Sequence, residues 1–120
     1  MHDELLGLTR RLLDAIAGGD WDIYVAFTDA NLTCFEPEAC GLLVEGLDIH
    51  RFYFELPRSD VRKVDHMVHA RVVPLGPDAA IVAYVRLVQL PTETRHFEET
   101  RVWRRTGGVW RQVHVHRSVH

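Results

Sequence analysis

Apolar positions follow a largely helical period in the first half of this chain and a period of two in the second. Leu5, Leu8, Leu12, Leu13 and Ile16 recur three and four residues apart, which predicts an amphipathic helix. Asp3 is its expected N-cap and Gly18-Gly19 its end. Asp20 then caps a short second helix carrying Trp21, Tyr24, Val25 and Phe27. Leu32 to Glu36 reads as a short strand stopped by Pro37, and Gly41 to Glu45 as a loop or short strand. Gly46 to Leu56 reads as a third helix, ended by Pro57. Leu47, His50 and Phe54 form its apolar stripe, widened by Ile49, Phe52 and Tyr53.

From Val61 onward the residues alternate. Val61 to Val73 and Ala79 to Leu90 are predicted strands, joined by a turn at Pro74 to Asp78. Tyr84, Arg86 and Val88 share a face with Val82. Pro91 to Arg95 is a tight connection into a hairpin that runs from Glu98 to Arg117. Phe97, Glu99, Arg101 and Trp103 lie on one face of its first strand. A three-residue loop, Thr106 to Gly108, would set Arg105 opposite Val109 and Arg101 opposite Val113. Arg101 and Arg117 then share the apolar face with Val113 and Val115. Trp110, Gln112, His114 and His116 occupy the other face, which a neighbouring subunit would cover. Helices first and a meander after predict an α+β fold in which the helices lie on a curved antiparallel sheet and leave a pocket.

The chain has 120 residues, enough for one domain (1–120) that buries about two-thirds of its unfolded surface. Its net charge of −3 argues against a nucleic-acid partner. No apolar run has the length of a membrane span and no signal peptide is visible, so the expected location is cytoplasmic. Lys63 is the sole lysine; arginine supplies the remaining basic charge and is the better residue for bidentate contacts with carboxylates. Cys34 and Cys40 lack CxxC spacing, so they are expected to be small buried hydrophobes in a reducing compartment, with no metal or other cofactor. His66 and His69 are expected on opposite faces of their strand, which argues against a joint site.

Three stretches, FEPEACGLLVEGLDIHRFYFE (35–55), AAIVAYVRLVQ (79–89) and EETRVWRRTGGVWRQVHVHRS (98–118), resemble the association, or hub, domain of calcium/calmodulin-dependent protein kinase II. LLDAIAGGDWDIY (12–24) fits the same family, so the resemblance covers nearly the whole chain. It implies the cone-shaped nuclear transport factor 2-like fold and assembly into a homo-oligomeric ring of roughly ten to fourteen subunits. It also implies a pocket for a small carboxylate, lined by Arg86, Arg101 and Arg117, with His50 from the HRFYFE helix. Glu99 is the carboxylate that parity sets beside these arginines. The loop from Leu56 to Lys63 and the turn from Leu90 to His96 are shorter than in the family. The first also lacks a tryptophan that alpha-type hubs carry near the pocket mouth. The glycine-rich loop and the catalytic and metal-binding aspartates of a kinase are missing from these residues, so no kinase activity is expected.

Two questions stay open at this level. The arginines either receive a small anion or close an internal network with Glu99 and other carboxylates. The domain is either a free-standing oligomerisation hub or a small-molecule enzyme of the isomerase or cyclase type that uses His50 or Glu99 as a base.

Overall fold

The computed structural model describes residues 1–57 and 61–119. Helix α1 (His2–Gly18) buries Leu5, Leu12 and Leu13 completely, each worth about 2 kcal/mol of transfer free energy. Its start is one residue ahead of Asp3: Met1 is the N-cap, and Asp3 sits in the first turn. Gly19 ends the helix in the left-handed conformation (φ 72°), as the double glycine predicts. Asp20 then accepts a hydrogen bond from the Ile23 amide and starts helix α2 (Trp21–Ala26).

Strand β1 (Thr28–Phe35) begins four residues before the expected Leu32. A short 3₁₀ turn (Pro37–Ala39), strand β2 (Val44–Glu45) and helix α3 (Asp48–Glu55) follow. On α3 only part of the expected stripe is covered. His50 is buried, whereas Ile49, Phe52 and Tyr53 are exposed. The notion that those three widen the buried stripe is therefore corrected: Ile49 and Phe52 are left to solvent, and Tyr53 lies at the mouth of a pocket beside His50.

Strands β3 (Val64–Pro74), β4 (Ala79–Gln89), β5 (Thr94–Thr106) and β6 (Val109–Val119) complete a sheet of order β2-β1-β6-β5-β4-β3. Its pairs are antiparallel apart from β1 on β6, which run parallel. The middle of the Leu56–Lys63 loop, 58–60, lies outside the described residues. His69 interrupts β3 with φ 55° at a register shift, and Ala70 and Val72 beyond it pack on the core. Both His66 and His69 are exposed, so strand parity alone misplaced that pair.

The hairpin β5–β6 departs from the expected register. Gly107 and Gly108 both have positive φ (58° and 77°) and make a two-residue turn, with Thr106 opposite Val109. Such a turn matches strand twist and needs residues without a Cβ penalty. The register then shifts between Val102 and Trp103: Trp103 faces Gln112, Val102 faces His114, and Val113 is the extra residue. Arg101 consequently lies opposite Val115, not Val113. The bulge reverses parity along β6. Trp110 and Gln112 point into the core before it; Val115 does so after it. The placement of Trp110 and Gln112 on an outward interface is thus overturned. Trp110 is 4 % exposed and belongs to the main core cluster with Leu5, Leu12, Trp103 and Tyr24; Gln112 is fully buried. His114 and His116 remain on the outer face, half-buried and exposed respectively.

Candidate functional site

Where α2, α3 and β1 meet the last strands, a pocket of about 260 Å³ opens. Aromatic packing fixes its roof. Trp21 and Tyr24 of α2 clasp Phe54 of α3, with ring centroids 5.1 and 4.9 Å from it. That clasp presents His50 to the interior, where its Nδ1 lies 2.8 Å from the Tyr24 hydroxyl. The opposite nitrogen, Nε2, lies 3.7 Å from Glu36 Oε1, too far for a hydrogen bond.

The three arginines of interest all reach this region, each with a different degree of engagement. Arg101, 3 % exposed, is bonded through each of its three nitrogens: Nε donates to the Tyr84 hydroxyl at 2.8 Å and Nη1 to Gln112 Oε1 at 2.6 Å. Its Nη2 reaches Glu99 Oε1 at 3.4 Å. Tyr84 donates in turn to the same Glu99 oxygen at 2.6 Å, and Gln112 Nε2 donates to the Thr28 hydroxyl at 2.9 Å. Arg86 pairs with Asp65 of β3 at 2.8 Å and with Glu99 Oε2 at 3.6 Å. Arg117 pairs with Glu38 of the 3₁₀ turn and lies over the Phe97 ring at 5.2 Å. Its Nε is buried without a hydrogen-bond partner.

Sequence reasoning set Glu99 alone against three guanidiniums. Asp65, Glu36 and Glu38 also stand there, so positive charge is not in excess. Their signals were faint because each comes from a different element. Cys34 and Glu36 were readable, being two apart on an extended segment and so on one face.

Electrostatics follow from these contacts. Burial pushes the Glu99 carboxyl up, but Arg101 and Arg86 outweigh it and hold the group below its ordinary range. The Arg101 guanidinium, opposed by burial, is raised by Tyr84 and Glu99. His50 and then Arg117 hold Glu36 below its ordinary range against burial. Burial and the neighbouring Glu36 push the Cys34 thiol up to about 12. Cys34 is buried as expected, whereas Cys40 is exposed. Cys34, Glu36 and His50 each offer one ligand atom within 4.8 Å of the others, a set that can hold a metal ion. On the outer face His114 Nδ1 lies 2.7 Å from the Thr33 hydroxyl, and burial and His116 lower its pKa.

Helices folded over a strongly twisted sheet, with a polar pocket between, define the nuclear transport factor 2-like class. A likeness to a nuclear transport factor 2-like protein from Cytophaga hutchinsonii (TM-score 0.83, 17% identity, 98% of this chain and 97% of that one) shows that fold. The family model for the calcium/calmodulin dependent protein kinase II association domain matches residues 1–120, and the chain belongs to that family. It is 46% identical over 123 residues to the rabbit (Oryctolagus cuniculus) calcium/calmodulin-dependent protein kinase type II subunit delta. The match covers 96% of this chain and 23% of the rabbit protein, so the chain spans about a quarter of that relative's length. The hub homology domain of Chlamydomonas reinhardtii superposes with a TM-score of 0.92 at 41% identity, covering 98% of this chain and 97% of that one. The association domain of the Caenorhabditis elegans kinase gives 0.91 at 43%, covering 97% and 93%. Among the described residues no helix is long and apolar enough to cross a membrane.

Proposed function

We propose that this domain is a non-catalytic hub that assembles with copies of itself into a closed ring of roughly ten to fourteen subunits. Membership of the association-domain family carries this reading. The surface supports it: Leu42, Leu43, Ile49 and Phe52 stand exposed around β2 and α3, and Phe35 packs against His116 on the outer face of the sheet. Solvent is a poor neighbour for so many large apolar side chains, and a second copy of the chain would cover them. His114 and His116 keep their role as contact residues in this proposal. Light scattering coupled to gel filtration tests it. A mass of about 140 kDa or more, ten times the 13.8 kDa chain, is expected. A dimer would refute the ring.

The pocket, on the same reading, receives a small carboxylate at Arg117. Arg101 is buried with all three nitrogens already bonded and Arg86 already pairs with two carboxylates, so both are more committed than Arg117. Arg117 retains an unpartnered Nε, and its ion pair is with Glu38, 41% exposed on a short turn. An incoming acid takes the place of the Glu38 carboxylate. Calorimetry with acetate and succinate should show Glu38→Gln binding several-fold tighter and Arg117→Ala losing binding. Unchanged affinity in Arg117→Ala would remove the assignment. Proton abstraction is disfavoured here, because two guanidiniums hold Glu99 as a weakly basic carboxylate.

A further inference from the structure

Cys34, Glu36 and His50 converge on one point of the pocket wall from two elements, the end of β1 and the middle of α3. Their donor atoms are a sulfur, a carboxylate oxygen and an imidazole nitrogen. Three features of the geometry suit a metal better than a hydrogen-bond network. First, Glu36 Oε1 is buried and has no hydrogen-bond partner. That oxygen keeps its acceptor capacity unused, and a cation would take it up. Second, its separation from His50 Nε2 is 3.7 Å. In a tetrahedral zinc site, bonds of ~2.0–2.3 Å put neighbouring ligand atoms roughly 3.3–3.8 Å apart, so this pair is already spaced as two ligands. With all three atoms within 4.8 Å, closing the set needs side-chain movement on the order of one ångström. Third, the Tyr24 hydroxyl sits 2.8 Å from His50 Nδ1. A proton on Nδ1, donated to that hydroxyl, leaves the Nε2 lone pair directed at Glu36, which is the outer-sphere support that metal-bound histidines use.

We propose that Cys34, Glu36 and His50 form a binding site for a zinc-class divalent cation, with its fourth position open to the pocket. Charge balance does not oppose a cation. Without a cation, four carboxylates (Glu36, Glu38, Asp65 and Glu99) stand against four guanidiniums (Arg86, Arg101, Arg117 and Arg10, the last 3.9 Å from Asp65), so the region is close to neutral. A divalent ion bound by the Cys34 thiolate and the Glu36 carboxylate forms a neutral unit, so the nearby Arg101 and Arg117 do not repel it. The thiol proton leaves to solvent as the sulfur–metal bond forms. The donor set selects the metal: thiolate with imidazole favours zinc or cobalt over magnesium or calcium. The open fourth position takes water or the carboxylate of a pocket ligand. The site itself does not depend on ring assembly or acid binding, and it reverses the expectation from cysteine spacing that no metal is held.

The test uses the full chain, stripped with chelator, reduced and titrated with Co²⁺ at neutral pH. Thiolate-to-cobalt charge-transfer absorption in the near ultraviolet should appear and saturate at one cobalt per chain. Zinc should abolish that absorption and raise the melting temperature. Cys34→Ser, nearly isosteric, should lose the absorption and at least tenfold in zinc affinity, while Cys40→Ser keeps both. Glu36→Gln should weaken zinc binding while keeping the sulfur signal at high cobalt. Melting curves without metal establish that each variant is folded. Absorption that persists in Cys34→Ser, that vanishes in Cys40→Ser, or that never saturates overturns the proposal. So does zinc that leaves the wild-type melting temperature unchanged. Because the probe is the metal alone, its failure is distinct from a failure to bind acetate at Arg117.

Discussion

Glu99 is the buried charge on which two arginines depend, and replacing it with glutamine isolates that dependence. The side chain is almost wholly shielded (2 % exposed). It accepts from Tyr84 at 2.6 Å, faces Arg101 at 3.4 Å and Arg86 at 3.6 Å. Glutamine keeps the shape and one acceptor oxygen, so the Tyr84 bond survives. What disappears is the negative charge. Arg86 retains Asp65, but among the described residues Arg101 has no other carboxylate in ion-pair range. Breaking a buried pair from one side costs roughly 3–5 kcal/mol, and the isosteric change belongs at the lower end, about 3 kcal/mol. An unfolding entropy of ~2.1 cal/mol/K per residue makes 1 kcal/mol about 4 °C for a chain of this length, so the melting temperature should fall by about 12 °C. Thermal and urea unfolding at fixed protein concentration measure it, since self-association would otherwise shift the midpoint. Glu99→Gln combined with Arg101→Met should be less destabilised than the sum of the two single variants, because the second change removes the stranded charge. A single-variant loss under about 0.5 kcal/mol, or strict additivity, would refute the picture of Glu99 as the shared counter-charge.

Two further outcomes follow from the geometry. Trp110→Ala should cost about 4 kcal/mol, roughly 15 °C in melting temperature, because a fully packed ring leaves a cavity. Light scattering on the surviving fold should show unchanged assembly, whereas dissociation without destabilisation would return Trp110 to an interface. Glu99 and Glu36 both bind protons more weakly folded than unfolded. Their stabilisation is complete above the ordinary glutamate range of ~4.3 and is lost as pH falls below it toward the folded values. Urea midpoints measured from pH 7 down to 3 should therefore drop below about pH 4.5, and Glu99→Gln should flatten that drop.

Much of this architecture is written in periods that survive without tertiary information. The α1 stripe, the double-glycine stop, the Asp20 cap and the inward set Glu99, Arg101 and Trp103 each follow from local spacing. Arg86 and His50 came from the family resemblance, and both reach the pocket. What spacing could not carry is the offset between elements. A bulge adds one residue without marking it, so every position of β6 between the turn and Val113 was assigned to the wrong face. Compensating carboxylates were missed for a related reason. Asp65 lies 21 residues from Arg86, and Glu38 lies 79 from Arg117, so only the fold brings them together. Exposed apolar residues on α3 escaped because helical spacing identifies a stripe but not what covers it.

The extra residue Val113 joins the two halves of the domain. On the turn side of it, β6 contributes Trp110 and Gln112 to the core under α1. On the far side it contributes Val115 to the Leu32, Cys34 and Val44 cluster, and Arg117 to the pocket. An unbroken alternation could serve one of these sets but not both: with Gln112 inward, His114 and His116 would point into the pocket, and Val115 and Arg117 out of it. Gln112 also ties the halves chemically, since it accepts from Arg101 at the pocket floor and donates to Thr28 at the start of β1. The parallel pairing of β1 shifts its register over the same stretch, between Thr28 and Thr33, so that Cys34 lies beside Val115. One inserted residue thus sets which strand faces line the core, which line the pocket, and which histidines remain on the outer face.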